Sequence, residues 1–175
     1  MEEFAAKKAR KIKLLLLDVD GVLTDGRIVY DSEGRDSRFF NVNDGLGVYM
    51  LKQAGIPTVL VTAKGSAAVT PRARDMQIAE IYADVLPKSS VLDEILKKYR
   101  VSKEEVCFAG DDLVDLSLMQ KVGFSIAVFN AYPEVKRLAD YITRREGGRG
   151  AVREIAELIL KAKGKWQELV TRYES

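Results

Sequence analysis

The sequence predicts a doubly wound α/β domain, a parallel sheet covered by helices on both faces. Short continuous apolar runs recur along the chain, each giving way to polar or acidic residues, and stretches with helical apolar spacing lie between them. No linker rich in Gly, Pro or Ser and no internal repeat divides the series, so residues 1–175 read as one domain.

The first run, Ile12 to Leu17, ends in Asp18-Val19-Asp20-Gly21, the pattern of a strand buried on both faces that delivers polar groups at its C-terminal end. Arg27 to Asn41 breaks the alternation with two short β-prone pieces around Asp31-Ser32-Glu33-Gly34, which predicts a hairpin inserted directly after that strand. Helical spacing follows in Leu46, Tyr49, Met50 and Ala54, with Gly55 as a stop. Thr58 to Val61 is the next strand and ends at Thr62; a further strand end is expected before Leu86-Pro87-Lys88. Val91, Leu92, Ile95, Leu96 and Tyr99 predict a helix, with Ser90 and Asp93 spaced as a capping box. Val106 to Ala109 ends at Gly110-Asp111-Asp112, and Ser125 to Phe129 precedes Asn130. After Gly147-Gly148-Arg149-Gly150, the spacing of Val152, Ile155, Ala156 and Ile159 marks another helix, and a short tail with Trp166 occupies about residues 164–175.

Composition narrows the chemistry. Lys plus Arg total 28 against 26 for Asp plus Glu, a balance that gives no electrostatic case for a nucleic-acid partner. The basic run Lys7, Lys8, Arg10, Lys11 and Lys13 reads as a solvated face. There is no His and one Cys, Cys107, which removes Ser-His-Asp and Cys-His catalysis, His-ligated zinc and a disulfide framework. Cys107 lies in an apolar run and is expected to be a packed thiol. With neither a signal-peptide core nor a membrane-length apolar segment, the expectation is a cytoplasmic protein without membrane contact.

What remains is carboxylate, hydroxyl and lysine chemistry at strand ends, where ligands bind in open α/β sheets. Asp18 and Asp20 stand two residues apart at one such end, and close carboxylates repel unless a proton or cation separates them. Asp111 offers a second carboxylate to a hard cation such as Mg²⁺, Thr62 a hydroxyl and loop N–H, and Lys88 a positive charge for a phosphoryl oxygen. Each alone has an ordinary reading as a cap, turn or surface residue. The ordered set Asp-x-Asp, Thr, Lys and Asp-Asp at four expected strand ends is more than coincidence supplies.

On these residues the chain resembles the haloacid dehalogenase superfamily of phosphohydrolases: Asp18 to Thr24 matches its first motif, Thr62 its second, Lys88 its third and Gly110 to Asp115 its fourth. The resemblance implies Asp18 as nucleophile, Asp20 as general acid and base, Thr62 and Lys88 on the phosphoryl oxygens, and Mg²⁺ held by Asp18, the Asp20 carbonyl and Asp111. Asp112 or Asp115 would orient the cation's surroundings. Phe40 to Gly47 and Gly147 to Glu154 are similar to the capless branch that hydrolyses 3-deoxy-D-manno-octulosonate 8-phosphate, a Mg²⁺-dependent homotetramer of lipopolysaccharide sugar synthesis. That likeness implies a sugar-acid phosphate substrate, with Asp20, Asn41, Asn43, Asp44, Gly45, Lys64, Arg72, Lys88 and Arg149 at its binding site, and a neighbouring subunit near Arg149. Two departures stand out. Thr62-Ala63-Lys64 replaces Thr or Ser followed by Gly-Arg, and Val42-Asn43-Asp44-Gly45 replaces Val-Arg-Asp-Gly. Lysine lacks the bidentate fork of arginine, so these changes bear on the grip of the sugar acid. A nine-carbon sugar acid 9-phosphate, a phospho-acceptor signalling domain and a catalytically idle relative are the competing readings; the acid two residues after Asp18 speaks against the second, and intact motifs speak against the third.

Overall fold

The computed structural model describes residues 2–174. Its eight strands are β1 (Leu14–Leu17), β2 (Val29–Tyr30), β3 (Asp36–Ser37), β4 (Thr58–Val61), β5 (Glu80–Tyr82), β6 (Val106–Gly110), β7 (Phe124–Ala127) and β8 (Tyr141–Ile142). The helices are α1 (Glu2–Lys11), α2 (Val42–Gln53), α3 (Val69–Asp75), α4 (Leu92–Tyr99), α5 (Leu116–Met119), α6 (Pro133–Leu138), α7 (Ala151–Ala162) and α8 (Trp166–Thr171). None of the described helices is long and apolar enough to cross a membrane.

Six strands form one parallel sheet in the order β5-β4-β1-β6-β7-β8. From β1 the chain moves out to β4 and β5, then returns past β1 to β6. Right-handed crossovers therefore put α2 and α3 on one face and α4, α5 and α6 on the other. α7 packs against α2 and α1, completing the first layer. The reversal of strand order beside β1 opens a crevice at its C-terminal end.

The four leucines of β1 are fully buried, as are the residues of β4, β6 and β7, which explains why these strands read as unbroken apolar runs. β1 begins at Leu14; Ile12 lies before it, buried among the core side chains. β7 starts one residue early, at Phe124, and ends before Val128. Cys107 is buried in β6, where burial pushes its thiol well above the ordinary range, so it packs and does not react.

Three expectations need correction. The capping box at Ser90 and Asp93 does not form: the chain enters α4 through a 3₁₀ turn, Lys88–Val91, and no side chain caps the helix. Lys88 is not at a strand end either, because β5 stops at Tyr82 and Lys88 opens that turn. On α2 the inward face is Val48, Met50 and Leu51, while Leu46 is partly exposed. The inserted hairpin is present but short, with β2 and β3 antiparallel and Thr24 bridging Phe40 at its base. Val29, Tyr30 and Phe39 on it are about half exposed or more.

Candidate active site

The first strand ends in a tight turn organised by Thr24, which is fully buried. Its Oγ1 accepts the N–H groups of Gly21 and Gly26, each at 3.2 Å, and fixes the path from Asp18 to Gly26. Gly21 has φ of +96°, and a Cβ there would lie 2.0 Å from Asp111 Oδ2, so the Asp111 carboxylate rests directly on the glycine. Gly147 presses on the same turn: its Cβ would fall 1.6 Å from the Gly21 carbonyl oxygen. The Gly147 to Gly150 loop is thus a brace behind the first motif.

At the centre stands Lys88, whose side chain is buried. Its Nζ donates to Asp18 Oδ1 and, at 2.6 Å, to Asp115 Oδ1. Burial alone would lower the Lys88 pKa, but the Asp18 and Asp115 carboxylates outweigh it and hold the ammonium above the ordinary lysine value. Asp115 Oδ2 accepts the N–H groups of Asp111 at 2.8 Å and Asp112 at 3.2 Å. With both oxygens engaged, Asp115 orients Lys88 and the Asp111 loop. Asp112 behaves as a cap, its Oδ1 accepting the Leu113 N–H at 2.6 Å.

One oxygen each from Asp18, Asp111 and Asp115 falls within 4.8 Å of the others. Burial, with the Asp115 carboxylate added and against the pull of Lys88, pushes Asp18 up to about 7. Burial and the neighbouring Asp18 and Asp115 carboxylates push Asp111 up to about 8. Three carboxylates face one ammonium, and Asp111 Oδ1 is buried without a hydrogen-bond partner. Oxygen donors of this kind, crowded and with more negative charge than one ammonium offsets, fit a hard divalent cation.

A cavity of about 160 Å³ gathers Asp18, Asp20, Thr62, Lys64, Lys88 and Asp111. A larger open groove, about 870 Å³, lies along α7 and contains none of these six, so chemistry and not size identifies the site. The smaller volume suits a phosphoryl group and a cation; drug-sized ligands usually need about 300 Å³ or more. Thr62 is buried at the end of β4, its Oγ1 donating to the Lys64 carbonyl at 3.2 Å and accepting the Lys64 N–H at 3.3 Å. Lys64 is exposed and its Nζ donates to Tyr30 Oη on the hairpin at 2.6 Å.

Several residues expected at the sugar do not line this cavity. The Asp44 carboxylate is buried and accepts the N–H groups of Gly150 at 3.3 Å and Arg153 at 2.8 Å, so it caps α7 from α2. Asn41 caps α2 through the Asn43 N–H at 2.8 Å. Arg72 Nη2 donates to the Asn41 carbonyl at 2.8 Å and lies 2.6 Å from where a Cβ on Gly45 would fall, so a side chain there would displace the guanidinium. Asn43 faces the larger groove, and Arg149 is exposed, 3.4 Å from Glu146. Asp44 thus ties α2 to α7, Asn41 Nδ2 reaches the Gly148 carbonyl at 3.4 Å, and Arg72 ties α3 to the start of α2, all behind the site. A helix start rich in Asn, Asp and Gly looks alike in sequence whether it caps or binds.

Sequence reasoning passed over Arg38. Its guanidinium is buried and reaches Asp20 from the hairpin. No periodicity marks it, because the hairpin is too short to show one.

Residues 61–155 match the family profile of haloacid dehalogenase-like hydrolases. The chain is 41% identical over 161 residues to the 3-deoxy-D-manno-octulosonate 8-phosphate phosphatase of Escherichia coli K12, covering 92% of this chain and 86% of that protein. Among solved structures, the phosphatase of the same name from Moraxella catarrhalis, in complex with magnesium, phosphate and KDO, superimposes with a TM-score of 0.95 at 40% identity, covering 99% of each chain. The cobalt-bound form of the Haemophilus influenzae phosphatase gives 0.87 at 37% identity, covering 90% of this chain and 92% of that one.

Proposed function

The chain belongs to the haloacid dehalogenase-like hydrolases, within the 3-deoxy-D-manno-octulosonate 8-phosphate phosphatase family, and from that premise we propose that it releases phosphate from this sugar-acid ester in a Mg²⁺-dependent reaction. The observation that carries the reading is the buried Asp18-Lys88-Asp115 arrangement facing Asp20, Thr62 and Asp111 in one cavity.

Asp18 is the nucleophile. Its carboxylate oxygen forms a bond to phosphorus as the phosphorus–oxygen bond to the sugar breaks, and Asp20 gives a proton to the departing sugar oxygen. Water then attacks the phosphorus of the aspartyl-phosphate, Asp20 takes the water's proton, and Asp18 is restored as phosphate leaves. Lys88 holds Asp18 in place and supplies a fixed positive charge. The Thr62 hydroxyl and the adjoining backbone offer hydrogen bonds to the phosphoryl oxygens. Asp18, Asp111 and the Asp20 carbonyl would hold Mg²⁺, whose charge, when bound, neutralises the phosphoryl oxygens in the transition state.

A panel of sugar phosphates tests the reading. The expected result is preferred release from 3-deoxy-D-manno-octulosonate 8-phosphate, abolished by a chelator and restored by Mg²⁺. Preference for a nine-carbon 9-phosphate would shift the substrate; release insensitive to chelation would contradict the cation site.

The chain acts as one catalytic unit in the cytoplasm and assembles as a homotetramer. Support for assembly comes from the small open cavity, which leaves the sugar outside, and from the exposed Val29, Tyr30 and Phe39 on a hairpin too short to be stable alone. Val29→Asp combined with Phe39→Asp is expected to convert a tetramer to smaller species by light scattering and to lower kcat/KM for the sugar phosphate. A wild-type monomer with full activity would refute the assembly.

A further inference from the structure

We propose that Arg38 is a positioning residue for the reaction, fixing the carboxylate of Asp20 from the inserted hairpin; the inference rests on the phosphatase reading above. The Arg38 side chain is 0% exposed although most of the hairpin around it faces solvent. Its Nε donates to Asp20 Oδ1 at 2.6 Å and its Nη2 to Asp20 Oδ2 at 3.0 Å, a two-point fork that sets both the place and the plane of the carboxylate. The remaining nitrogen, Nη1, meets Asp36 on β3 and donates to Ser66 Oγ at 2.7 Å.

A buried guanidinium is costly unless its N–H groups are met, and here they are met by three separate pieces of chain. Asp36 belongs to the hairpin, Ser66 to the loop that follows Thr62, and Asp20 to the turn after β1. Arg38 therefore ties together the loops that carry the nucleophile, the acid and the phosphate-binding hydroxyl. Each Asp20 oxygen accepts one bond from Arg38 and has capacity for another, and the Asp20 side chain is still 24% exposed at the cavity. The fork thus constrains Asp20 without closing it to a proton donor or acceptor. In the first half-reaction that proton passes from Asp20 to the sugar oxygen as the phosphorus–oxygen bond breaks, and a misaimed carboxylate leaves the alkoxide unprotonated.

Leaving-group dependence separates this role from a general contribution to the fold. p-Nitrophenolate departs without a proton, whereas the sugar alkoxide needs one. In Arg38→Met, kcat/KM for the octulosonate 8-phosphate is expected to fall about 100-fold, the cost of small misplacement in an active site, with a much smaller fall for p-nitrophenyl phosphate. Arg38→Lys, which keeps the charge but not the fork, is expected to recover part of the sugar-phosphate activity. Beryllofluoride binding should change far less than the sugar-phosphate rate, because Arg38 contacts neither Asp18 nor Lys88. Equal losses on both esters overturn the proposal. So do unchanged or raised rates on the sugar phosphate, which would make the fork dispensable or a lock. If Arg38→Met does not fold, Arg38→Lys carries the comparison: a loss confined to the sugar phosphate supports positioning and an equal loss on both esters overturns it. A wild-type protein that hydrolyses neither ester refutes the phosphatase reading itself, and this inference with it.

Discussion

Asp18→Asn is expected to reduce phosphate release to background, a loss of more than about 10⁴-fold and so beyond what a general acid–base contribution supplies. An amide cannot form the acyl phosphate, so the covalent step disappears and is not merely slowed. The fold should not suffer. Asparagine has the shape of aspartate and removes one of three crowded carboxylates, while Asp115 still receives the Lys88 ammonium. Without Mg²⁺ the variant is expected to melt at or above the wild-type temperature, because burial and Asp115 already disfavour the charged form of Asp18. Steady-state assays and melting curves together check this; measurable turnover in a well-folded Asp18→Asn protein would remove Asp18 from the nucleophilic role.

Lys88→Met should move stability the other way. It leaves Asp18 and Asp115 buried beside Asp111 without their ammonium, and breaking such a pair from one side typically costs about 3–5 kcal/mol. Activity should be lost with it, since in the proposed mechanism Lys88 holds Asp18, to which its Nζ donates, and offers charge to the phosphoryl group. Mg²⁺ is expected to restore part of the stability, as the cation answers the same carboxylates. Urea unfolding with and without Mg²⁺ measures the effect. A Lys88→Met protein as stable and active as the wild type would show that the ammonium is not the countercharge of this cluster.

The contrast between the two variants reflects how the sequence encodes the site. Asp18, Thr62 and Asp111 were legible because parallel strands buried on both faces produce unbroken apolar runs, and the residue that ends each run stands at the crevice. Lys88 was legible as a residue of the cavity but not as a buried one, because nothing near Leu86-Pro87 announces the two carboxylates that reach it from distant segments. The N-terminal helix shows a related limit. Lys7, Arg10, Lys11 and Lys13 are exposed as expected, yet the helix docks through Ala5 and Ala9, side chains too small to stand out as an apolar stripe. Asp44 and Arg38 show the limit at the site itself. One was expected at the substrate and has its carboxylate on the start of α7; the other sat unnoticed in a two-residue strand's surroundings and reaches Asp20. Both outcomes depend on contacts between segments far apart in sequence, which local pattern does not contain.

Rapid quenching with substrate radiolabelled at phosphorus bears most directly on Asp18 as the phosphoryl acceptor. The expected result is label on the peptide that carries Asp18, stable in acid, released by hydroxylamine, dependent on Mg²⁺ and absent from Asp18→Asn. Phosphate release at full rate with no labelled peptide at any quench time, or label retained in Asp18→Asn, would contradict it.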